Sequence, residues 1–231
     1  VPSPTAAALH SLHYHEINVF NVQGIIKKRK SAKLSDLLTI PIEKNPRWNL
    51  KQITEELKNN AYQNKYLPMQ GLSELRQSVA KYTSKKKNYE YNSENVIIGP
   101  GSKELMFLLH VIFDGEIILP APSWVSYAPQ AILGRNKIKI LQTKRENNWF
   151  PTAQEIEEVI LKDKNKNYLL FLNSPNNPSG QVCENLEEIS NVANKYNLII
   201  LSDEIYSELT FINDYKSISN FCPEKTIIST G

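Results

Sequence analysis

Short, nearly continuous apolar runs alternate with stretches of helical periodicity along most of this 231-residue chain, and nothing else in it constrains the fold as strongly. The runs Val96–Ile98, Glu116–Leu119, Lys137–Leu141, Tyr168–Leu172 and Leu198–Leu201 are each too short for a helix, and Thr226–Ile228 begins another. Between them, apolar residues recur at helical spacing: Leu72, Leu75, Val79 and Tyr82 after Gly71; Leu105, Leu108, Leu109 and Ile112; Val125 to Leu133; Ile156, Val159 and Ile160 behind a Thr152 cap; and Glu184 to Tyr196. An earlier helix, capped by Asn49, carries Ile53 and Leu57. Strands that are apolar on both faces and separated by helices belong in a parallel sheet covered on both sides. The expectation is therefore an α/β fold, a mostly parallel sheet sandwiched by helices. It occupies residues 49–231, behind an amino-terminal arm, residues 1–48, whose one amphipathic stretch is Ile17 to Ile26.

Several function classes drop out. No apolar run approaches the roughly 18 residues of a membrane span, and Val1 to His10 lacks the basic-then-apolar order of a secretory signal. The first residue is not Met, so the amino end reads as trimmed. Cys183 and Cys222, with no CxxC spacing, read as free buried thiols of a cytoplasmic protein. The net charge of +3 is modest. The basic runs Lys27-Lys28-Arg29-Lys30 and Lys85-Lys86-Lys87 have no interleaved aromatics, so they read as solvated helix ends and not as a nucleic-acid surface. His10, His13 and His15 match no zinc spacing, and no metal is expected.

In open α/β sheets ligands bind beyond the carboxyl ends of the strands, and here those ends carry the unusual residues. Ile98 runs into Gly99-Pro100-Gly101-Ser102-Lys103 and then a helix, where close backbone approach and free N–H groups suit a phosphate. Taken alone, a glycine turn before a helix is more often punctuation. Leu119 leads to Pro120-Ala121-Pro122-Ser123-Trp124, whose Trp is either core or a face for a flat ligand. Leu172 leads to Asn173-Ser174-Pro175-Asn176-Asn177-Pro178-Ser179-Gly180, too polar for a plain connector, and the Asn177 amide can donate to a ligand oxygen. The strand ending at Leu201 is followed by Ser202-Asp203-Glu204-Ile205-Tyr206, and a carboxylate at a buried strand end calls for a cationic partner.

Together with Tyr66 and Gly71-x-x-Glu74-Leu75-Arg76, and with Trp124-Val125-Ser126-Tyr127, these motifs resemble in order and spacing the fold-type I pyridoxal-phosphate (PLP) enzymes, and among them the class I/II aminotransferases. The likeness runs from about Leu34 to the end of the chain. It implies the PLP-binding large domain of such an enzyme. Gly101, Ser102 and Lys103 would form the phosphate turn, Trp124 would stack on the pyridine ring, Asn177 and Tyr206 would bond its phenolic oxygen, and Asp203 would face its protonated nitrogen. Tyr66 would serve the phosphate of a neighbouring subunit, which implies a homodimer with shared sites. The substrates implied are an amino acid and a 2-oxo acid.

Two departures qualify the likeness. Where the family has a glycine facing the substrate carboxylate, this chain has Leu38-Thr39-Ile40-Pro41, and proline has no N–H to donate. The lysine that holds the cofactor covalently is expected just beyond Gly231, with the small carboxy-terminal domain absent, so that the chain alone would bind PLP without transferring amino groups. Two other readings share most of these motifs: another fold-type I enzyme, such as a carbon–sulfur lyase or a synthase, and a non-catalytic PLP-fold module.

Overall fold

A computed structural model describes residues 50–87, 89–210 and 215–231. The arm, its amphipathic stretch, the histidine group, Asn49 and Pro41 lie outside the described residues. By its contacts the chain divides into two units, Val1–Tyr66 and Leu67–Gly231. Of the first, the described part is helix α1 (Leu50–Asn60) and the segment to Tyr66, in which Ile53, Leu57, Tyr62 and Tyr66 are exposed.

The second unit is built on a parallel sheet. Its elements in order are α2 (Ser73–Lys87), α3 (Ser102–Ile112), β1 (Glu116–Ala121), α4 (Tyr127–Leu133), β2 (Lys137–Gln142), α5 (Ala153–Leu161), β3 (Tyr168–Asn173), α6 (Leu186–Tyr196), β4 (Ile199–Asp203) and β5 (Thr226–Ser229). The five strands lie in the order β2-β1-β3-β4-β5, and every pairing is parallel. The three central strands are almost wholly buried, whereas β2 has only exposed and half-buried residues and ends the sheet with Lys137 and Lys139 exposed. Charged side chains on an edge discourage further pairing.

Strand periodicity splits the core into two layers. Ile118, Leu170, Leu172 and Ile200 face α5 and α6, packing on Ile156 and Ile189. Ile117, Leu119, Leu169, Phe171 and Leu201 face α3 and α4, packing on Met106, Tyr127 and Ala131. The layered α/β architecture anticipated from the alternation is thus present.

Three details differ from the sequence reading. Helix α2 starts at Ser73 and not at Gly71. Gly71 instead holds φ +95° and lies so near Ile98 that an added Cβ would come within 2.6 Å of the Ile98 Cβ. Val96–Ile98 is not a strand: its backbone bonds are Val96 N–H to the Ser93 carbonyl at 3.2 Å and Ile98 N–H to the Gln70 carbonyl at 3.0 Å, and an apolar run without a neighbouring strand among the described residues has no ladder to join. Strand β4 extends through Asp203, so that carboxylate is the last rung of the sheet, in register with Asn173 on β3 and Ser229 on β5.

Candidate active site

The strand order reverses between β1 and β3, since β2 lies to one side of β1 while β3, β4 and β5 lie to the other. Loops leaving adjacent strands at such a point diverge and open a crevice at their carboxyl ends. The loop after β1 carries Trp124, the loop after β3 carries Asn177, and β4 ends in Asp203. The topology therefore gathers residues spread over some eighty positions of sequence.

Asp203 is buried on the face shared with α4, as its odd position in β4 requires. One carboxylate oxygen accepts a short hydrogen bond from the Tyr127 hydroxyl, and the other accepts from the Ile205 N–H at 3.3 Å. Burial raises the Asp203 pKa above the ordinary carboxylate range, and the nearby Glu204 charge adds to this, while the bonds from Tyr127 and Ile205 act against it. No lysine, arginine or histidine among the described residues forms an ion pair with it. The site therefore offers a buried negative charge that has donors but lacks a cation. Tyr127 is pushed strongly upward by burial and then by the Asp203 charge, so it stays a neutral donor.

Asn173 ties the neighbouring loop to the same strand end. Its amide donates to the Asp203 carbonyl at 3.0 Å and its oxygen accepts from the Asn177 N–H at 2.7 Å, while Ser174 N–H also bonds the Asp203 carbonyl at 3.1 Å. Inside the loop, buried Asn176 accepts from Ser179 and from the Gly180 N–H, which fixes the turn. The result is that the Asn177 amide reaches the Tyr206 hydroxyl at 3.4 Å, so two donors from different loops converge.

Trp124 is half-buried and meets Tyr127 edge-on with ring centroids 5.4 Å apart. The Lys103 ammonium lies 5.6 Å from the Trp124 ring. Lys103 belongs to the first turn of α3, whose cap, Gly101, has φ +123° and ψ +149°, with open space where a side chain would stand. The Gln130 side chain of α4 donates to the Lys103 carbonyl at 2.8 Å and holds that turn in place. The leading N–H groups of a helix lack intrahelical acceptors, so with Ser102 and Lys103 this end suits an anion.

Contacts thus link Lys103, Trp124, Asp203, Asn177 and Tyr206 in one connected set, with Gly101 and Ser102 at the start of α3 beside Lys103. Tyr66 falls in the other unit and is fully exposed. Sequence reasoning assigned no role to Tyr127 or Asn173. Tyr127 fell within a helical stretch and closed the Trp124-Val125-Ser126-Tyr127 motif, but nothing in the sequence tied it to Asp203. Asn173 had a plainer signal, a polar residue ending a strand that is otherwise apolar throughout.

Comparisons with known proteins agree on one family. The sequence profile described as aminotransferase class I and II matches residues 42–231. An aspartate aminotransferase of Thermotoga maritima is 33% identical over 159 residues, covering 67% of this chain and 41% of that protein. One from Bacillus sp. strain YM-2 is 34% identical over 176 residues, 72% of this chain and 44% of its own length. The solved structure of Thermus thermophilus aspartate aminotransferase with maleate superposes with a TM-score of 0.72 at 28% identity, over 78% of this chain and 48% of that one. The chain thus spans about half the length of the relatives it matches.

Proposed function

Because the chain belongs to the class I and II aminotransferases, we propose that its sheet-end cleft is the PLP site of an enzyme that moves amino groups between an amino acid and a 2-oxo acid. The observation that carries this reading is Asp203, a buried carboxylate that has hydrogen-bond donors and no cationic partner among the described residues. A protonated pyridine nitrogen is a flat cation of the kind this position lacks. When bound, PLP supplies an electron-poor ring that takes up the charge left as a substrate's α-proton departs.

The residues divide the remaining work. Asp203 keeps the ring nitrogen protonated at neutral pH, which makes the ring a better acceptor. Tyr127 holds Asp203 in position. Asn177 and Tyr206 present their convergent donors to the oxygen on the ring. Trp124 offers an aromatic face, and Gly101, Ser102 and Lys103 offer amides, a hydroxyl and a cation to the phosphate. In the same reading residues 49–231 form the cofactor-binding domain beyond the arm of residues 1–48. Tyr66 completes the phosphate site of a second subunit in a homodimer, and the protein works in amino acid biosynthesis in the cytoplasm. Among the described residues no helix is long and apolar enough to cross a membrane. The relatives' names make aspartate the first substrate to try.

Since the relatives are about twice as long, cofactor binding is the direct test on this chain. Titration with PLP, followed by quenching of Trp124 fluorescence against a W124F control, should give saturable binding. D203N should weaken it at least about tenfold, as loss of a charge-assisted bond does. Equal affinity in D203N would reject the assignment.

A further inference from the structure

We infer that Lys87, at the end of α2, is a positioning residue for this cleft, acting through Glu204 on the turn that carries Asp203 and Tyr206; the inference rests on the cofactor-site reading above. At the end of β4 the side chains alternate, so Asp203 faces α4 while Ser202 and Glu204 serve the other side of the sheet. There the Glu204 carboxylate is almost fully buried. One of its oxygens accepts from the Ser202 hydroxyl at 2.9 Å and, in a short bond, from Ser217, whose own oxygen lies 2.7 Å from that of Ser219. The other oxygen pairs with the Lys87 ammonium, whose side chain is only 10% exposed.

Lys87 reaches the second loop as well. Its ammonium lies 5.3 Å from the centre of the Tyr215 ring, and the Tyr215 hydroxyl donates to the Ser174 carbonyl at 2.7 Å, three residues before Asn177. The Asn220 side chain fixes the helix end by donating to the Lys87 carbonyl at 2.7 Å. One helical residue thus braces both loops whose donors, Asn177 and Tyr206, must converge. The preceding residue, Lys86, pairs with Glu208 on the same turn but in solvent. That pair contributes little, as exposed pairs do, and serves as an internal control. A buried pair is also a weak source of net stability, because desolvation offsets its attraction, so the better account of its presence is geometry.

The test is hydrogen exchange of the free chain together with PLP titration. In K87M alone Glu204 would be a buried unpaired charge and the chain could unfold, so the deciding variant is K87M/E204Q, which removes both charges. Peptides covering residues 203–209 and 174–180 should exchange about tenfold faster in that variant while the cores of β1 and β3 keep their protection. PLP affinity should fall about tenfold, the usual scale for loosening a supporting shell. K87R should restore both, and K86M should change neither by more than about twofold. Loop exchange within about twofold of wild type in the folded double variant would overturn the inference. So would a rise spread evenly over all peptides, which marks a merely structural pair. If the wild-type chain fails to bind PLP, the cofactor reading falls, and the exchange pattern still decides the role of Lys87.

Discussion

In the free chain Asp203 is 5% exposed, and its carboxyl receives hydrogen bonds from Tyr127 and from the Ile205 N–H, with no counter-ion among the described residues. Burial raises its pKa, so the folded state favours the neutral acid more than the unfolded state does. The sign follows: Asp203 adds stability at acid pH, and that contribution is lost as pH rises through its folded pKa. D203N keeps the shape and an oxygen acceptor without the charge. It should therefore stabilise the PLP-free chain at neutral pH by about 1 kcal/mol, a common size for replacing a functionally strained group, with no gain at pH 3. Urea unfolding at the two pH values measures this. The variant that binds cofactor worse should thus be the more stable one, and a loss of stability at neutral pH would mean that Asp203 is better solvated than its burial implies.

At the scale of elements, the start of α3 is the most demanding piece of backbone. Gly101 holds φ +123° and ψ +149°, a region that side-chain-bearing residues rarely enter, yet nothing stands within 4 Å of where its Cβ would be. The cost of G101A is therefore conformational and not steric, about 1–3 kcal/mol in the chain's stability. If the backbone relaxes to avoid the strain, the amides turn away and affinity for PLP falls as well. Chemical denaturation and the PLP titration separate the two effects. This glycine was legible in the sequence because punctuation just before a helix is local chemistry. The same holds for Thr152, whose hydroxyl accepts from the Glu155 N–H while Glu155 reaches back. The strands β1, β3 and β4 were equally legible, since burial on both faces leaves a continuous apolar run. Val96–Ile98 was not, because a strand is a property of a pair and a single run carries no record of its partner. Tyr127 and Asn173 escaped for a related reason: each acts on a residue that only tertiary structure brings near, 76 and 30 positions away.

Acid should lower the stability of the unit Leu67–Gly231 in two steps, because buried groups of the unit titrate in different pH windows. His110 of α3 is fully buried, its ring stacked on Phe171 with centroids 4.8 Å apart and planes 6° off parallel. Phe171 in turn touches Tyr127, the donor to Asp203, so this histidine sits one layer behind the cleft. Burial holds its pKa below the ordinary 6.5, and the neighbouring Asn136 side chain opposes that only in part. The folded state thus resists the proton that the unfolded state takes up, so stability declines as pH falls from about 6.5 and levels off below the folded pKa. Glu116, buried at the start of β1 and paired with Lys166 and Lys139, is held below its usual range by those bonds, Lys166 first. Its contribution is complete above the unfolded carboxylate pKa and disappears only as pH drops through the depressed folded value. Asp203 runs the other way at higher pH, between the unfolded carboxylate value and its own raised one, so its gain is nearly complete before most of the Glu116 loss sets in. Stability measured by urea from pH 8 to pH 3 should therefore show a first decline near neutrality, removed in H110Q, and a second below about pH 4, removed in E116Q. A first decline that persists unchanged in H110Q would show that another group carries it, and the stacked His110 would then be protonated without cost.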